Sequence, residues 1–264
     1  MFQHNGKLIY HKEISPNHML MVIDAIEIAK NAVMGQFVEV RVSDSYEPLL
    51  KRPISIHDTD KKLGTISLLY QVKGKGTKLL SEKREGMYVD ILGPLGKGFT
   101  LPDYSIQKLL IVGGGIGVAP LLFLSKEVRR QFFNSTMILG YNSKEQILRI
   151  DEFKKHSSNL QITTLDGSFG EKGLVTVPLE RELAARNYGM LYACGPEVML
   201  KSVAQLAERY EIPCQVSMES LMACGVGACL GCSRKMIVDG KEIYQRVCVE
   251  GPVFNSREVV WENV

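Results

Sequence analysis

Hydrophobic and polar positions change their rhythm twice along this chain. From about Leu8 to Leu92 the apolar residues come in short alternating or β-rich runs, MLMVIDAIEI, QFVEVRV, TISLLYQV and MYVDILG. Turn-forming stretches, SDSYEP, KGKG and GPLGKG, stand between and after them. Short strands punctuated this way predict a small antiparallel β-barrel or sandwich. Near Pro102 the pattern shifts. KLLIVGG reads as a buried strand, APLLFLSKEVRRQF as a helix with an apolar stripe, and TMILGYN as a strand again. QITTLDG, LVTVPLERELAAR, GMLYACG and PEVMLKSVAQLAERY continue the alternation. Strands alternating with helices predict a Rossmann-like parallel sheet covered on both faces. After QVSMES the alternation stops. We therefore expect an all-β barrel over residues 1–102, an α/β nucleotide domain over 103–215, and a small cysteine-rich module over 216–264. No repeat or low-complexity segment interrupts them.

Composition narrows the function classes. Hydrophobic residues make up 45% of the 264, which is enough for real cores. A net charge of +3 from 32 basic and 29 acidic residues is too balanced to favour nucleic acid or an anionic membrane as partner. The longest apolar stretch, LLIVGGGIGVAPLLFL, is broken by four glycines and a proline and suits a strand, a turn and a helix start. The N-terminus, MFQHNGKLIYHKEISPN, has no apolar run behind a basic start, so a cytoplasmic location is expected.

That location changes how the cysteines read. Four of the six lie in the last 41 residues. In a reducing compartment, clustered thiols more often bind metal than form disulfides. Cys224, Cys229, Cys232 and Cys248 are spaced C-x4-C-x2-C-x15-C, and that triplet followed by a distant cysteine is the plant-type ferredoxin spacing for a [2Fe–2S] cluster. Gly225, Gly227 and Gly231 would let backbone N–H groups turn toward the sulfurs. The rival is a four-cysteine structural zinc site, whose first pair usually stands two to four residues apart.

Three further motifs carry weaker signals. In RPIS, Arg52 to Ser55, a guanidinium beside a φ-locked proline could fork onto a diphosphate, and Ser55 could reach a ring nitrogen. Gly76 would allow close backbone approach to a phosphate, and Thr77 would add a hydroxyl. The bland reading of RPIS is a basic residue before a turn. IVGGGIGVAP, Ile111 to Pro120, has the strand–glycine loop–helix layout that presents N–H groups to a pyrophosphate, through Gly114, Gly115 and Gly117. Pro120 stands where the usual third glycine would be, and such a loop can be only a tight turn. YACGP puts Cys194 and Gly195 at the end of a strand, where ligands of such sheets bind; a lone Cys194 is otherwise a small buried hydrophobe. DGSFGEKG, Asp166 to Gly173, is by default a polar loop.

A nicotinamide delivers two electrons together, whereas an iron–sulfur cluster takes one, and a flavin converts between them. In that order RPIS with GT, GGGIGVAP and CGP resemble the ferredoxin–NADP reductase superfamily. SMESLMACGVGACLGC followed by RVCVEGPVF narrows the likeness to the PyrK family, the electron-transfer subunits of class B dihydroorotate dehydrogenases. The resemblance runs over essentially the whole chain. It implies an FAD-binding barrel, an NAD-binding domain and a C-terminal [2Fe–2S] domain. It also implies a partner, an FMN-containing PyrD-type catalytic subunit that oxidises dihydroorotate to orotate. In the implied heterotetramer, two of each, electrons pass from FMN through the cluster and FAD to NAD⁺ in pyrimidine biosynthesis, and this chain holds no residue for dihydroorotate itself. On the family pattern, Arg52, Pro53, Ile54 and Ser55 form the first FAD motif. Leu69, Tyr70 and Gln71 form a backbone-contacting strand beside the flavin, Gly76 and Thr77 the pyrophosphate pair, and the four cysteines the cluster ligands. One departure bears on the nucleotide: no acidic residue ends TMILGYN to hold a ribose diol, and Lys144 nearby could tolerate a 2′-phosphate. Related small subunits of sulfide dehydrogenases and NADPH–ferredoxin oxidoreductases share this domain order, and a zinc-binding module without catalytic role is the reading from another class.

Overall fold

The computed structural model describes residues 1–43, 45–103, 108–185 and 188–261. Six strands, β1 (Phe2–Ser15), β2 (His18–Asp24), β3 (Phe37–Val40), β4 (Arg52–Asp60), β5 (Thr65–Gln71) and β6 (Tyr88–Leu95), close into an antiparallel barrel in the order β1-β2-β5-β4-β3-β6. β1 makes the closure. Its first half pairs with β6, from Phe2 opposite Gly93 to Lys7 opposite Tyr88, and its second half pairs with β2. Closing the sheet removes the two exposed edges an open sheet would keep. The core is aliphatic and includes Leu8, Met21, Ile23, Val38, Ile56, Leu68 and Ile91.

The run MLMVIDAIEI is not one strand. It is β2 followed by α1 (Ile26–Asn31). Ala25, Ile28, Ala29 and Ala32 are buried while Ile26 is exposed. That i, i+3, i+4, i+7 spacing is helical, so the burial period switches at Asp24. KGKG likewise runs into a helix, α2 (Lys75–Ser81).

The second sheet has seven strands in the order β10-β9-β8-β7-β11-β12-β15. Its parallel members are β7 (Lys108–Gly114), β8 (Asn134–Tyr141), β9 (Asn159–Thr164), β10 (Glu171–Lys172), β11 (Met190–Cys194) and β12 (Cys214–Ser217). Four helices cover its faces: α3 (Leu121–Arg130), α4 (Ile150–His156), α5 (Thr176–Ala185) and α6 (Glu197–Arg209). β7 is buried on both faces, with Leu109 and Ile111 packing in the cluster that includes α3 and α4, and Leu110 and Val112 in the one that includes α5 and α6. That two-sided burial is why KLLIVGG reads as a continuous apolar run.

The cysteine module follows β12. β13 (Ser233–Val238) and β14 (Lys241–Arg246) form a hairpin whose turn, Asp239–Gly240, has φ of 51° and 74°. Two left-handed residues make the turn that matches strand twist. β15 (Val253–Asn255) then returns antiparallel to β12 and completes the edge of the second sheet. Among the described residues no helix is long and apolar enough to cross a membrane.

Candidate functional site

The barrel and the second sheet meet along an open cleft of about 870 Å³. Arg52, Pro53, Ile54 and Ser55 from β4, Leu69, Tyr70 and Gln71 from β5, and Thr77 line its barrel side; Gly117 and Cys194 line the sheet side. Gly76 lies beneath the Arg52 side chain. A Cβ there would stand 2.4 Å from the Arg52 Nε, so only glycine lets the guanidinium lie across the start of α2. Arg52 Nη1 donates to the Leu50 carbonyl at 2.6 Å, which leaves the rest of the fork toward the cleft wall. The Thr77 hydroxyl is used locally. It accepts from Lys73 N at 2.9 Å and donates to the Gly74 carbonyl at 3.1 Å, which orders the first turn of α2.

His11 holds Tyr70 against this cleft. Its Nδ1 is 2.7 Å from the Lys83 carbonyl, which can only accept, so Nδ1 carries the hydrogen and Nε2 accepts from the Tyr70 hydroxyl at 2.9 Å. Burial lowers the His11 pKa and favours that neutral ring.

A second cleft, about 580 Å³, opens at the carboxyl ends of β7, β8, β9 and β11. Gly114 and Gly115 line it with Asn142, Thr163 and Pro196. Between β7 and α3 the chain makes one 3-10 turn, Gly115–Val118. Gly117 and Gly195 touch backbone to backbone: a Cβ on Gly117 would lie 2.5 Å from the Gly195 Cα. The glycine loop and the Cys194–Gly195 turn therefore close on each other, and a third cleft along them joins the first two. Cys194 is buried, its thiol pushed up to about 12 by burial and by Glu219, so it is no thiolate at neutral pH.

Lys144 opens a short turn after β8, and its N–H is held by the Ser168 hydroxyl at 2.8 Å. That bond ties the Lys144 turn to the 166–173 loop. Two exposed carboxylates, Glu145 and Asp166, flank the spot and interact with each other. Ser143 and Ser168 respectively hold their pKa values down. Both carboxylates thus stand near the end of TMILGYN, one on the turn after it and one on a neighbouring loop.

The four late cysteines stand as two neighbouring pairs. Cys224 and Cys229 interact through their thiols, as do Cys232 and Cys248, and Cys248 also feels the charge of Cys224. Cys232 and Cys248 are buried, whereas Cys229 is exposed. Burial works against the Cys224 thiolate, but N–H groups of Val226, Cys229 and Ala228 outweigh it and hold the thiol at about 6. Burial and the Cys232 thiol push Cys248 up to about 12. Backbone N–H groups point at sulfur, Cys229 N to Cys224 Sγ at 3.4 Å and Gly231 N to Cys229 Sγ at 3.5 Å. Gly225 and Gly227 take φ of 67° and 81°, which lets the loop turn those groups inward. Among the described residues no three ligating side chains gather about a single point. Thiols arranged as two pairs, with N–H groups on sulfur, are the donor set a two-iron cluster needs. Cys194 and Cys214 are buried elsewhere, Cys214 beside Ser256.

Several residues at these sites carry no linear signal. Arg246 forks onto Glu250 and reaches the Gly227 carbonyl at 3.1 Å, bracing the cysteine loop from β14. Glu219 lines both the first cleft and the joining one. Glu39, on β3, is 1% exposed, and neither carboxyl oxygen has a hydrogen-bond partner. It fills the space where Gly225 would carry a Cβ. Burial raises its pKa to about 7, against Lys51 and Arg52 and with Cys224. Only the packing of the cysteine loop onto the barrel brings these groups together.

Comparison with known proteins assigns all three regions. Residues 5–99 match the oxidoreductase FAD-binding domain, residues 111–205 the oxidoreductase NAD-binding domain, and residues 219–260 the iron–sulfur cluster binding domain of dihydroorotate dehydrogenase B. The dihydroorotate dehydrogenase B (NAD⁺) electron transfer subunit of Desulforamulus reducens is 43% identical over 98% of this chain and 98% of its own. The subunit of the same name from a Geobacillus species is 38% identical over 98% and 99%. Among solved structures, a chain of an NADH-dependent reduced ferredoxin–NADP oxidoreductase superposes with a TM-score of 0.87 at 31% identity, over 98% of this chain and 91% of that one. With relatives this similar over the full length and a matching model for each region, the chain belongs to the family of dihydroorotate dehydrogenase B (NAD⁺) electron transfer subunits.

Proposed function

We propose that this chain is the electron-transfer subunit of an NAD⁺-linked dihydroorotate dehydrogenase in the pyrimidine pathway of the cytoplasm. The observation that carries the reading is the order of sites on one chain: an FAD cleft continuous with a nucleotide cleft, and a four-cysteine centre packed against the FAD barrel through Glu39 and Gly225. A bound flavin exchanges hydride with a nicotinamide and single electrons with an iron–sulfur cluster. The chain's own residues hold and orient those groups. Arg52 forks onto the FAD diphosphate across Gly76, with Thr77 ordering the helix start beneath it. Pro53, Ile54 and Ser55, with the Leu69–Gln71 strand, line the flavin ring. Gly114, Gly115 and Gly117 cradle the dinucleotide, and Cys194 and Gly195 border the nicotinamide. Glu145 and Asp166 repel a 2′-phosphate and so favour NAD. Cys224, Cys229, Cys232 and Cys248 hold one [2Fe–2S] cluster.

Dihydroorotate oxidation belongs to the partner, an FMN-containing PyrD-type subunit, in a complex of two of each. The 31% likeness to the ferredoxin–NADP oxidoreductase chain supports a second reading, the small subunit of such an enzyme. Reconstitution separates them. The chain alone should reduce artificial acceptors with NADH and leave dihydroorotate untouched. Adding the FMN subunit should create dihydroorotate-to-NAD⁺ activity; reduction of ferredoxin in place of that activity would select the second reading.

A further inference from the structure

β4 touches both halves of the molecule. Its first residues, Arg52 to Ser55, line the FAD cleft. Further along, the strand carries a β-bulge: Ile56 pairs with Leu68 and Asp58 with Ser67, so His57 is the extra residue. Bulges re-aim side chains. His57 is 1% exposed, and its Nδ1 lies 2.6 Å from the Ala119 carbonyl oxygen. A carbonyl only accepts, so Nδ1 carries the hydrogen and Nε2 is a bare acceptor. That Nε2 is buried and has no partner. A leucine would fill similar space without stranding a nitrogen, so the bond to Ala119 is what distinguishes the imidazole here.

Ala119 follows the glycine turn Gly115–Val118 and lines the FAD cleft itself. The next residue of the bulge, Asp58, pairs with Lys126 on α3. Two successive residues thus staple the strand that carries the flavin motif to the turn and helix that carry the nucleotide loop. Hydride transfer needs its reacting atoms roughly 3–3.5 Å apart, and a misplacement of about 1 Å can slow it about a hundredfold. The two nucleotides sit on different sheets, so that spacing depends on the seam between them.

We propose that His57 is a positioning residue for hydride transfer: by donating to the Ala119 carbonyl it fixes the glycine loop, and the nicotinamide nucleotide on it, at the working distance from the flavin. The proposal rests on the cofactor assignments above. It makes His57 matter more for the rate than for FAD retention, because the diphosphate contacts assigned above, Arg52, Gly76 and Thr77, lie on the barrel.

The test uses the full chain as purified with its cofactors, wild type beside His57→Leu, His57→Asn and Lys126→Met. Flavin bleaching by NADH is followed anaerobically in a stopped-flow instrument, with FAD content and hydrogen–deuterium exchange over residues 115–120 measured in parallel. Asn keeps a donor where Nδ1 stood; Leu does not. His57→Leu should retain FAD and a near-normal NADH KM, bleach about tenfold to a hundredfold more slowly, and exchange faster over 115–120. His57→Asn should recover most of the rate. Lys126→Met, at a partly exposed position, should slow bleaching less, and it decides the matter should His57→Leu not fold. Wild-type bleaching in His57→Leu, or in Lys126→Met where the leucine variant does not fold, overturns the proposal. So does His57→Asn as slow as His57→Leu. A wild-type chain that binds no FAD, or is not bleached by NADH, overturns the cofactor assignments first and the proposal with them.

Discussion

Adding one methyl group at Gly76 should weaken FAD binding through Arg52. The Cβ of Gly76→Ala would lie 2.4 Å from the Arg52 Nε and 2.7 Å from its Cζ and Nη2. Ordinary van der Waals spacing is about 3.5 Å, so the guanidinium must withdraw by roughly 1 Å, and a charge-assisted bond of that length does not survive the move. Such bonds contribute ~1.5–3 kcal/mol, about a tenfold to hundredfold in affinity. The same methyl does not disfavour α2, since alanine is a better helix former than glycine. Gly76→Ala should therefore fold at least as well as wild type yet hold FAD about tenfold or more weakly, close to Arg52→Ala. In the double variant the methyl has no guanidinium to displace, so its affinity should equal that of Arg52→Ala alone. Titration of the cofactor-free proteins with FAD, read by flavin fluorescence, gives the four affinities. Additive losses would refute the reasoning, because the methyl would then act on the cofactor directly.

Serine at Cys224, Cys229, Cys232 or Cys248 should lose or alter the EPR signal of the reduced cluster, while Cys214→Ser leaves it intact; a normal signal in Cys248→Ser with an altered one in Cys214→Ser would contradict the ligand set. His57 makes the fold sensitive to acid. Burial lowers its pKa from 6.5 to about 4, so the unfolded chain takes up a proton first as pH falls. Stability from this group is complete above about 6.5 and lost as pH drops toward 4, by ~3 kcal/mol in all. His57→Asn should flatten that part of the profile in denaturant titrations at pH 7 and 4.5, and an unchanged slope would count against the buried neutral ring. Replacing Glu145 and Asp166 together by their amides should shift preference a few-fold toward NADPH, read as the ratio of kcat/KM values; an unchanged ratio would remove them from the selectivity.

The iron–sulfur domain was legible because three of its cysteines lie close in sequence at a distinctive spacing. The glycine loop was legible for a similar reason: strand, turn and helix follow one another, and backbone contact with Gly195 forbids a side chain at Gly117. The barrel was legible as a class but not strand by strand. β1 alternates too irregularly to stand out, being a closing strand that serves two partners along its length. β4 reads as a motif instead of a strand, and its bulge puts His57 out of period. What escaped is what tertiary pairing creates. Glu39 and Gly225 are far apart in sequence and meet only when the cysteine loop packs on the barrel. Asp166, on the loop after the next strand, meets Glu145 beyond the end of β8. Lys144, a candidate 2′-phosphate ligand on sequence alone, stands beside Glu145, which interacts with it and with Asp166.

On the proposed function, the cluster on this chain is the obligatory link between its FAD and the partner's flavin. The direct measurement uses a complex of the FMN subunit with a cysteine variant that has lost its cluster but retains FAD and still binds its partner. NADH should bleach the FAD of this complex at the wild-type rate, while electron transfer from dihydroorotate to NAD⁺ is abolished. Transfer from dihydroorotate to NAD⁺ at the normal rate in that cluster-free complex would contradict the account.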